Sequence, residues 1–332
     1  MDIAIIGAGL AGCTAAEKLI ENGANVVVFE KSRGLGGRLS TKRRKWAWLD
    51  MGAQYFTARS SEFSQQVARW VDEGSVKKWE AQFLRFDSTG LSISPDDNER
   101  FVGTPKMNAF LDKHRNSPMT IYFEHKIKQI STDDGAYYIE TEKEHFGPYK
   151  AIICTAPYDQ AISMLGTELT PSIRDNGFVM SPTWAVGLQF AEPLDIHQHE
   201  HIGGIFVKKG NLSWVGHNSN KPTRSENDTG DTWILHFNPE WSAQHIEEAG
   251  EKIIEEGIAS FEKIVDAQLP AITNKIAHRW RYARNKKSDQ PETDGYLQVN
   301  GEAIYLAGDW TLGGRVENAY LSGYYAAQSI VS

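Results

Sequence analysis

The sequence predicts an α/β protein with two parts: a Rossmann-like dinucleotide-binding domain and a second domain of α+β type built on a mixed sheet. Its first thirty residues form a strand, a glycine turn, a helix and a second strand. Two further apolar runs, at 150–157 and 303–309, are typical of strands buried on both faces of the same parallel sheet. Between them, residues 158–281 alternate strand-like runs with one amphipathic helix, which predicts the second domain.

The chain has 332 residues, enough for two domains. We expect the dinucleotide-binding domain to be discontinuous, built from 1–60, 101–157 and 282–332, and the second domain to comprise 61–100 and 158–281.

The opening strand–turn–helix–strand carries a GxGxxG motif. Gly7 suits a tight turn, Gly9 lets a pyrophosphate approach the backbone, and Gly12 lets the helix pack closely on the strand. The free N–H groups at the start of the helix favour an anion. Glu30, at the end of the second strand, is placed to accept hydrogen bonds from an adenosine ribose. FAD and NAD share this adenosine half, so the motif leaves both open.

A second glycine segment follows directly. Gly36 and Gly37 precede Arg38, which combines a close backbone approach with a guanidinium that suits a pyrophosphate. This segment favours FAD over NAD. Residues 49–59 then mix a glycine, an amide, aromatics and a cation, and in a flavoprotein we expect them to run beneath the isoalloxazine ring. The alternative is a plain strand with a polar edge.

Helical spacing predicts a helix over 61–73, and a turn-rich loop follows at 85–100. We expect 101–111 to start a helix, and 121–141 to form a β-meander around the Asp133-Asp134-Gly135 turn.

In the second domain the sequence predicts strands at 180–190, 212–215 and 232–237, and a helix at 246–264. The alternation of His197, His199 and His201 suggests a metal site, but no cysteine or carboxylate pair completes it, so we favour an exposed connection and expect no metal.

Near the C-terminus, Asp309 ends the run 303–309. This places it at the edge of the sheet where ligands bind in open α/β folds. It can accept a hydrogen bond from a ribityl hydroxyl. The closing helix, starting near Val316, directs its positive end towards the same region, where reduced flavin carries negative charge.

Composition limits the partners and the compartment. A net charge of −8 and a pI near 5.7 argue against nucleic acid as a partner. No run is long and apolar enough to span a bilayer and no leader precedes the first strand, so we expect a cytoplasmic protein without a membrane partner. Cys13 and Cys154 lie within structural elements and indicate small core residues.

Together these motifs resemble the bacterial renalases, within the flavin amine-oxidase-like superfamily. The resemblance runs nearly end to end and is carried by KSRGLGGR (31–38), MGAQYFTAR (51–59), PTWAV (182–186), DTWILH (231–236), HRWRYAR (278–284), GDW (308–310) and GRVE (314–317). It implies a glutathione-reductase/p-hydroxybenzoate-hydroxylase-like FAD domain and non-covalent FAD. It also implies an oxidase that takes hydride from isomeric dihydronicotinamides, 1,2- or 1,6-dihydro-NAD(P), to flavin N5. The products are NAD(P)+ and, with oxygen as the second partner, hydrogen peroxide.

For the dinucleotide substrate, the pocket residues we expect are Tyr55, Phe56, Thr57, Arg59, Trp184, Trp280, Arg281 and Trp310. The expected cofactor-binding residues are Gly7, Ala8, Gly9, Leu10, Ala11, Gly12, Glu30, Lys31, Gly36, Gly37, Arg38, Gln54, Tyr55, Phe56, Ile127, Gly308, Asp309, Val316, Glu317 and Ala319. Most of the tryptophans could equally be core residues.

We assign no catalytic side chain, because oxidation of a dihydropyridine needs no protein base. His236 and His278 are expected to be structural. No cysteine follows Cys154, which excludes a covalent flavin late in the chain. Two alternatives stay open: an amine oxidase or desaturase on the same scaffold, and a non-catalytic FAD- or NAD(P)-binding regulatory protein.

Overall fold

The computed structural model describes residues 1–166, 169–170, 178–196, 199–224, 228–285 and 293–331. Its α-helices are α1 (Leu10–Glu21), α2 (Ser61–Asp72), α3 (Tyr158–Met164), α4 (Pro239–Gln244), α5 (Gly250–Val265) and α6 (Val316–Val331). The strands are β1 (Asp2–Ile6), β2 (Asn25–Glu30), β3 (Lys42–Arg43), β4 (Trp48–Leu49), β5 (Val76–Lys78), β6 (Gln82–Asp87), β7 (Gly90–Ile93), β8 (Phe101–Gly103), β9 (Thr120–Phe123), β10 (Ile127–Asp133), β11 (Ala136–Thr141), β12 (His145–Tyr149), β13 (Ala151–Cys154), β14 (Met180–Phe190), β15 (Ile202–Val207), β16 (Leu212–His217), β17 (Asp231–Phe237), β18 (Ile272–Asn285), β19 (Tyr296–Gln298) and β20 (Ile304–Ala307).

The first sheet has the order β19-β20-β13-β1-β2-β9 and is parallel except for β19. Successive residues of a strand point to opposite faces, so β1 contributes to two cores. Ile3 and Ile5 pack with α1 and α6, while Ala4 and Ile6 pack with the three-stranded sheet β10-β11-β12. Gly323 lets α6 lie directly on α1, since a Cβ there would lie 2.0 Å from the carbonyl oxygen of Ala11.

The second sheet has the order β18-β14-β17-β16-β15-β6-β7 and is antiparallel except between β15 and β6. One face packs on α5 through residues such as Leu235 and Phe261. On the other face, Ala185 and Ile234 pack with Leu49 and Met51. Leu49 and Met51, which follow β2 in the chain, therefore pack on the second sheet. The two sheets confirm the predicted α/β architecture with mixed sheets.

Three local predictions need correction. Residues 101–103 form a strand and the helix expected there starts later, as a 3₁₀ helix at Ala109–Asn116, because the residue before Pro105 avoids the helical region. The β-meander around the Asp134-Gly135 turn is present, but it consists of β10, β11 and β12, whereas β9 joins the first sheet. Helix α5 begins at Gly250 rather than at 246, because a turn separates it from the short helix α4, which the Asn238 side chain caps.

The division into two domains stays a prediction. The strands of the first sheet fall in 1–60, 101–157 and 282–332, whereas β18 crosses the expected boundary at 281. In the part of the chain that the structure describes, no helix has the length and hydropathy needed to cross a membrane.

Candidate functional site

The turn between β1 and α1 is open towards a ligand. A Cβ on Gly12 would lie 1.9 Å from the carbonyl oxygen of Gly7, so this position requires glycine. Gly9 caps α1 without a side-chain hydrogen bond, and a Cβ at Gly9 would meet no atom within 4 Å. The N–H groups of the first turn of α1, including those of Leu10 and Ala11, have no hydrogen-bond partner within the helix. This arrangement suits a phosphate.

The second glycine segment lies across this opening. The N–H of Gly36 donates to the carbonyl oxygen of Ala8 at 2.8 Å, and a Cβ on Gly37 would come within 3.7 Å of the Gly9 Cα. Gly36 and Gly37 have φ values of 117° and 53°, which favour glycine. Two backbone segments thus border one cleft, which is a fitting site for the pyrophosphate of a dinucleotide.

Glu30 is buried at the end of β2. Its carboxylate accepts from the N–H of Ala8 at 2.8 Å and from the N–H of Ser32 at 2.7 Å. Because a carboxylate can accept about four hydrogen bonds, its remaining lone pairs can take ribose hydroxyls. Lys31, also predicted to bind the cofactor, directs its ammonium to Gln160 at 3.1 Å.

Arg38 and Asp309 contact one another directly. The guanidinium forms a bidentate pair with the buried carboxylate and also donates to the carbonyl oxygen of Ala283 at 3.1 Å. The sequence predicted two separate contacts, one on the pyrophosphate and one on a ribityl hydroxyl. Those two contacts stay predictions; in the protein itself this pair joins the second glycine segment, the end of β20 and the end of β18.

The start of α6 is tied to the start of α2. Glu317 is buried, and its Oε1 accepts from the N–H groups of Arg59, at 3.0 Å, and Ser60, at 2.6 Å. On the other side, the Ser322 hydroxyl accepts from the N–H of Gly308 at 2.7 Å. Val316 and Ala319 lie in the first turns of α6. Glu317 thus holds the chain that leads away from the expected flavin site.

Residues 50–54, which we name the clamped segment, are fixed from both sides. The Met51 carbonyl oxygen accepts from His236 Nε2 at 3.0 Å and from Trp280 Nε1 at 2.9 Å. The N–H of Ala53 donates to the carbonyl oxygen of Arg38 at 3.0 Å. A Cβ at Gly52 would lie only 2.0 Å from that same oxygen. The segment that the sequence predicted to run under the flavin ring is therefore held rigidly against the second sheet.

Sequence reasoning missed a buried charge cluster behind this segment. Asp50, Lys221 and Arg224 have fully buried side chains, with Asp50 Oδ2 lying 3.1 Å from Lys221 Nζ and 2.9 Å from an Arg224 nitrogen. Although burial opposes its ionisation, Arg224 and Lys221 lower the pKa of Asp50 to about 2. Burial lowers the pKa of Lys221 to about 8, against the attraction of Asp50. Two features of the sequence could have indicated this cluster: Asp50 at the end of an apolar run, and the Lys-Pro-x-Arg motif at 221–224.

Several predicted pocket residues lie in hydrophobic cores. Phe56 packs among Phe63, Trp70, Phe101 and Phe110. Trp310 is fully buried against Tyr158 and Phe178, and Trp184 donates to the carbonyl oxygen of His245 at 2.9 Å within the core beneath α5. Ile127 is likewise buried, beside the three-stranded sheet.

The remaining pocket residues are dispersed. Thr57 and Arg59 line a groove of about 480 Å³ alongside α2, and Arg281 pairs with Glu247 at 2.9 Å on the surface. Tyr55 lies half-buried against Trp79 and Trp214. Among the predicted set, the structure brings Tyr55 and Trp280 to the clamped segment.

Arg284 lies near the end of β18 and closes the HRWRYAR motif. Desolvation lowers the pKa of Arg284. Its charge opposes the rise that burial causes in the pKa of Tyr55, and it adds to the lowering of the pKa of His236. Among the residues that the structure describes, no hydrogen-bond or ion-pair partner is found for the Arg284 guanidinium.

The two histidines of this region are poor bases. Burial, with the Arg284 charge, lowers the pKa of His236 to about 3. Burial and the neighbouring Lys42 lower the pKa of His278 to about 4, and its Nδ1 lies 3.1 Å from Lys42 Nζ. Both rings are neutral near pH 7 and serve as hydrogen-bonding groups. Among the described residues no cluster of three His, Cys, Asp or Glu side chains could hold a metal. His199 contacts Gln82 at 3.3 Å, and His197 lies outside the described residues.

We predict that His236 makes the fold sensitive to acid. Its pKa is about 3 when folded, so the unfolded chain, with an ordinary histidine pKa, binds the extra proton between these values. Stability is therefore full above about pH 6.5 and falls below it by up to about 1.4 kcal/mol per pH unit for this one group. Urea unfolding at pH 7, 6 and 5 measures the slope. The slope should be shallower in His236→Gln, and an unchanged slope would contradict the prediction.

Comparisons with known proteins agree with this geometry. Residues 5–73 match a family described as an NAD(P)-binding Rossmann-like domain, and residues 82–331 match the family described as flavin containing amine oxidoreductase. Putrescine oxidase of Kocuria rosea is 28% identical over 159 residues, which cover 41% of this chain and 32% of that enzyme. A 4,4'-diapophytoene desaturase of Staphylococcus haemolyticus is 42% identical over 52 residues, 16% of this chain and 10% of that protein. The matched stretches thus span a third or less of these relatives.

Two solved structures share the fold over almost the whole chain. A putative protoporphyrinogen oxidase from Exiguobacterium sp. has a TM-score of 0.77 at 13% identity, covering 99% of this chain and 98% of its own. Cyclohexylamine oxidase from Brevibacterium oxydans has a TM-score of 0.75 at 12% identity, with the same coverage. The family match extends over most of the chain, and the open glycine cleft with Glu30 beside it suits the adenosine half of the cofactor. The chain therefore belongs to the family of flavin containing amine oxidoreductases, with FAD as its cofactor.

Proposed function

We propose that the protein is a cytoplasmic FAD-dependent oxidase acting on isomeric dihydronicotinamides, 1,2- or 1,6-dihydro-NAD(P). Bound FAD would supply a two-electron acceptor: the substrate gives up a hydride to become NAD(P)+, and oxygen with one further proton becomes hydrogen peroxide. Renalase-like motifs in the chain support this proposal within the wider family.

The observation that carries the proposal is Arg284, whose guanidinium has no ion-pair partner among the described residues and whose charge acts on Tyr55. Free amines are cations at neutral pH, and this charge repels them. A dinucleotide instead brings phosphates, which an arginine binds well, and a carboxamide oxygen that can accept from it. The charge of Arg284 therefore favours an anionic substrate.

The protein residues position groups and exclude water, and none of them is required to move a proton. A dihydropyridine becomes aromatic when it loses hydride, so it needs no base. The low pKa values of His236 and His278 agree with this, because a base must be able to take up a proton near neutral pH. The glycine cleft and Glu30 hold the adenosine half of FAD, and the rigid clamped segment is the surface on which we place the flavin ring.

Anaerobic mixing tests the substrate. The holoenzyme is mixed with 1,2-dihydro-NAD(P) without oxygen, and flavin absorbance near 450 nm, the usual position of the flavin band, is followed. We expect bleaching within seconds, and recovery of colour with hydrogen peroxide when air is admitted. If amines bleach the flavin and the dihydronicotinamide does not, the substrate assignment is wrong. If neither bleaches a flavin that dithionite reduces, a non-catalytic role is indicated.

Amine oxidation is the second candidate, because the family match and the similarity to putrescine oxidase both favour it. Arg284→Met separates the two. Loss of one charged hydrogen bond should raise the dihydronicotinamide concentration for half-maximal bleaching about tenfold, whereas an amine substrate should bind as well or better. Arg69→Met, on the exposed side of α2, is the matched control.

A further inference from the structure

The buried charge cluster is joined to the clamped segment by a loop of the second sheet. Residues 218–224 follow β16, and the Asn218 side chain accepts from the N–H of Asp50 at 3.3 Å and donates to the carbonyl oxygen of Trp48 at 2.9 Å. Lys221 and Arg224 then reach Asp50 from the same loop, and Thr41 donates to its other carboxylate oxygen at 2.6 Å. The loop therefore holds both the backbone and the only acid of the clamped segment.

Lys221 makes two further contacts that the ion pair does not need. Its Nζ lies 3.4 Å from Gln54 Oε1 and 5.4 Å from the centre of the Trp79 ring. The Gln54 Nε2 donates to the carbonyl oxygens of Asp50 and Gly52. The amide thus closes a ring of hydrogen bonds over the segment, and the ammonium on its oxygen fixes which way it points.

Stability alone is a weak explanation for this arrangement. Burying ions costs a large desolvation energy, and well-packed apolar residues often replace a buried ion pair without loss. A cluster that fixes one amide in one orientation supplies geometry that apolar residues cannot supply. The segment whose amide it fixes is the one on which the flavin ring is placed.

We propose that Lys221 is a positioning residue: held on Asp50 together with Arg224, it orients the Gln54 amide and so sets the shape and polarity of the clamped segment beside the flavin ring. The inference rests on the proposed placement of FAD. Its test measures the spectrum and the midpoint potential of bound flavin without any substrate, so the proposal can fail while the substrate assignment stands.

Three variants test the assignment: Lys221→Met, Gln54→Met and the double variant. Each is purified with FAD, and its visible spectrum, its midpoint potential against a reference dye and its thermal unfolding are recorded. We expect both single variants to shift the flavin bands. In Lys221→Met the Gln54 amide is no longer fixed in one orientation, so the ratio of reduced to oxidised flavin at a fixed potential should change about fivefold. The double variant should match Gln54→Met, because the lysine acts through the amide.

Lys126→Met is the matched control, since Lys126 forms an exposed pair with Glu142 at 3.3 Å. It should leave the spectrum and potential unchanged. If Lys221→Met lowers only the unfolding temperature while its bound flavin keeps the wild-type spectrum and potential, Lys221 is merely structural and the proposal fails. Should that variant not fold, Gln54→Met keeps all three charges and decides the matter: a wild-type flavin spectrum in it overturns the proposal.

Discussion

Glu30→Ala is expected to leave purification without its yellow colour. The change removes a buried carboxylate that accepts from the N–H groups of Ala8 and Ser32 and is placed to accept from the ribose. Each hydrogen bond to a charged group is worth about 1.5–3 kcal/mol, so loss of two to the ribose weakens FAD binding about a hundredfold or more. The ratio of flavin to protein absorbance after gel filtration measures the occupancy.

Glu21→Ala, at the exposed end of α1, is the control and should retain full occupancy. Asp309→Ala should also lose FAD, because it frees Arg38 from its bidentate partner and opens the end of β20. Fully occupied protein in both Glu30→Ala and Asp309→Ala would place the cofactor elsewhere in the chain.

The spacing of residues along the sequence was enough to predict the part of the site that suits the adenosine half of FAD. Gly7, Gly9, Gly12 and Glu30 lie within one strand–helix–strand unit, so the periodicity that predicts its elements also predicts where the residues meet. The sequence also predicted that Asp309 lies near the glycine turn, because the carboxyl ends of parallel strands share one edge of the sheet. The strands and helices predicted in this way were enough to predict the α/β architecture.

The second half depends on contacts between distant parts of the chain. Asp50 meets Lys221 and Arg224 across 171 and 174 residues, and no periodicity links them. Aromatic residues pose a different difficulty. Trp310 and Trp280 have the same side chain, yet one is wholly buried in a core and the other donates to the clamped segment. Composition gives both the same preference for burial, so only the fold separates them.

Asp50→Ala is expected to be the most destabilising single change near the site. It leaves Lys221 and Arg224 buried without their acid, and breaking a buried pair in this way costs about 3–5 kcal/mol. Urea unfolding of Asp50→Ala against wild type measures the loss. Glu142→Ala, which breaks an exposed pair, should change stability by less than about 1 kcal/mol.

The same carboxylate predicts a second dependence on pH. The pKa of Asp50 is about 2 in the folded protein, below its value in an unfolded chain. Its contribution is therefore complete above about pH 4 and is lost as the pH falls towards 2. Asp50→Ala removes this dependence, while the one due to His236, which acts between about pH 6.5 and 3, stays. Two steps of acid destabilisation in the wild type, with only the upper one left in Asp50→Ala, would assign the lower step to Asp50; the upper step is shared by His236 with His278 and His114, whose pKa values burial lowers to about 4. If both steps persist in Asp50→Ala, other carboxylates cause the lower step. The ion pairs of Asp50 with Lys221 and Arg224 are then not the source of the loss of stability near pH 2–4.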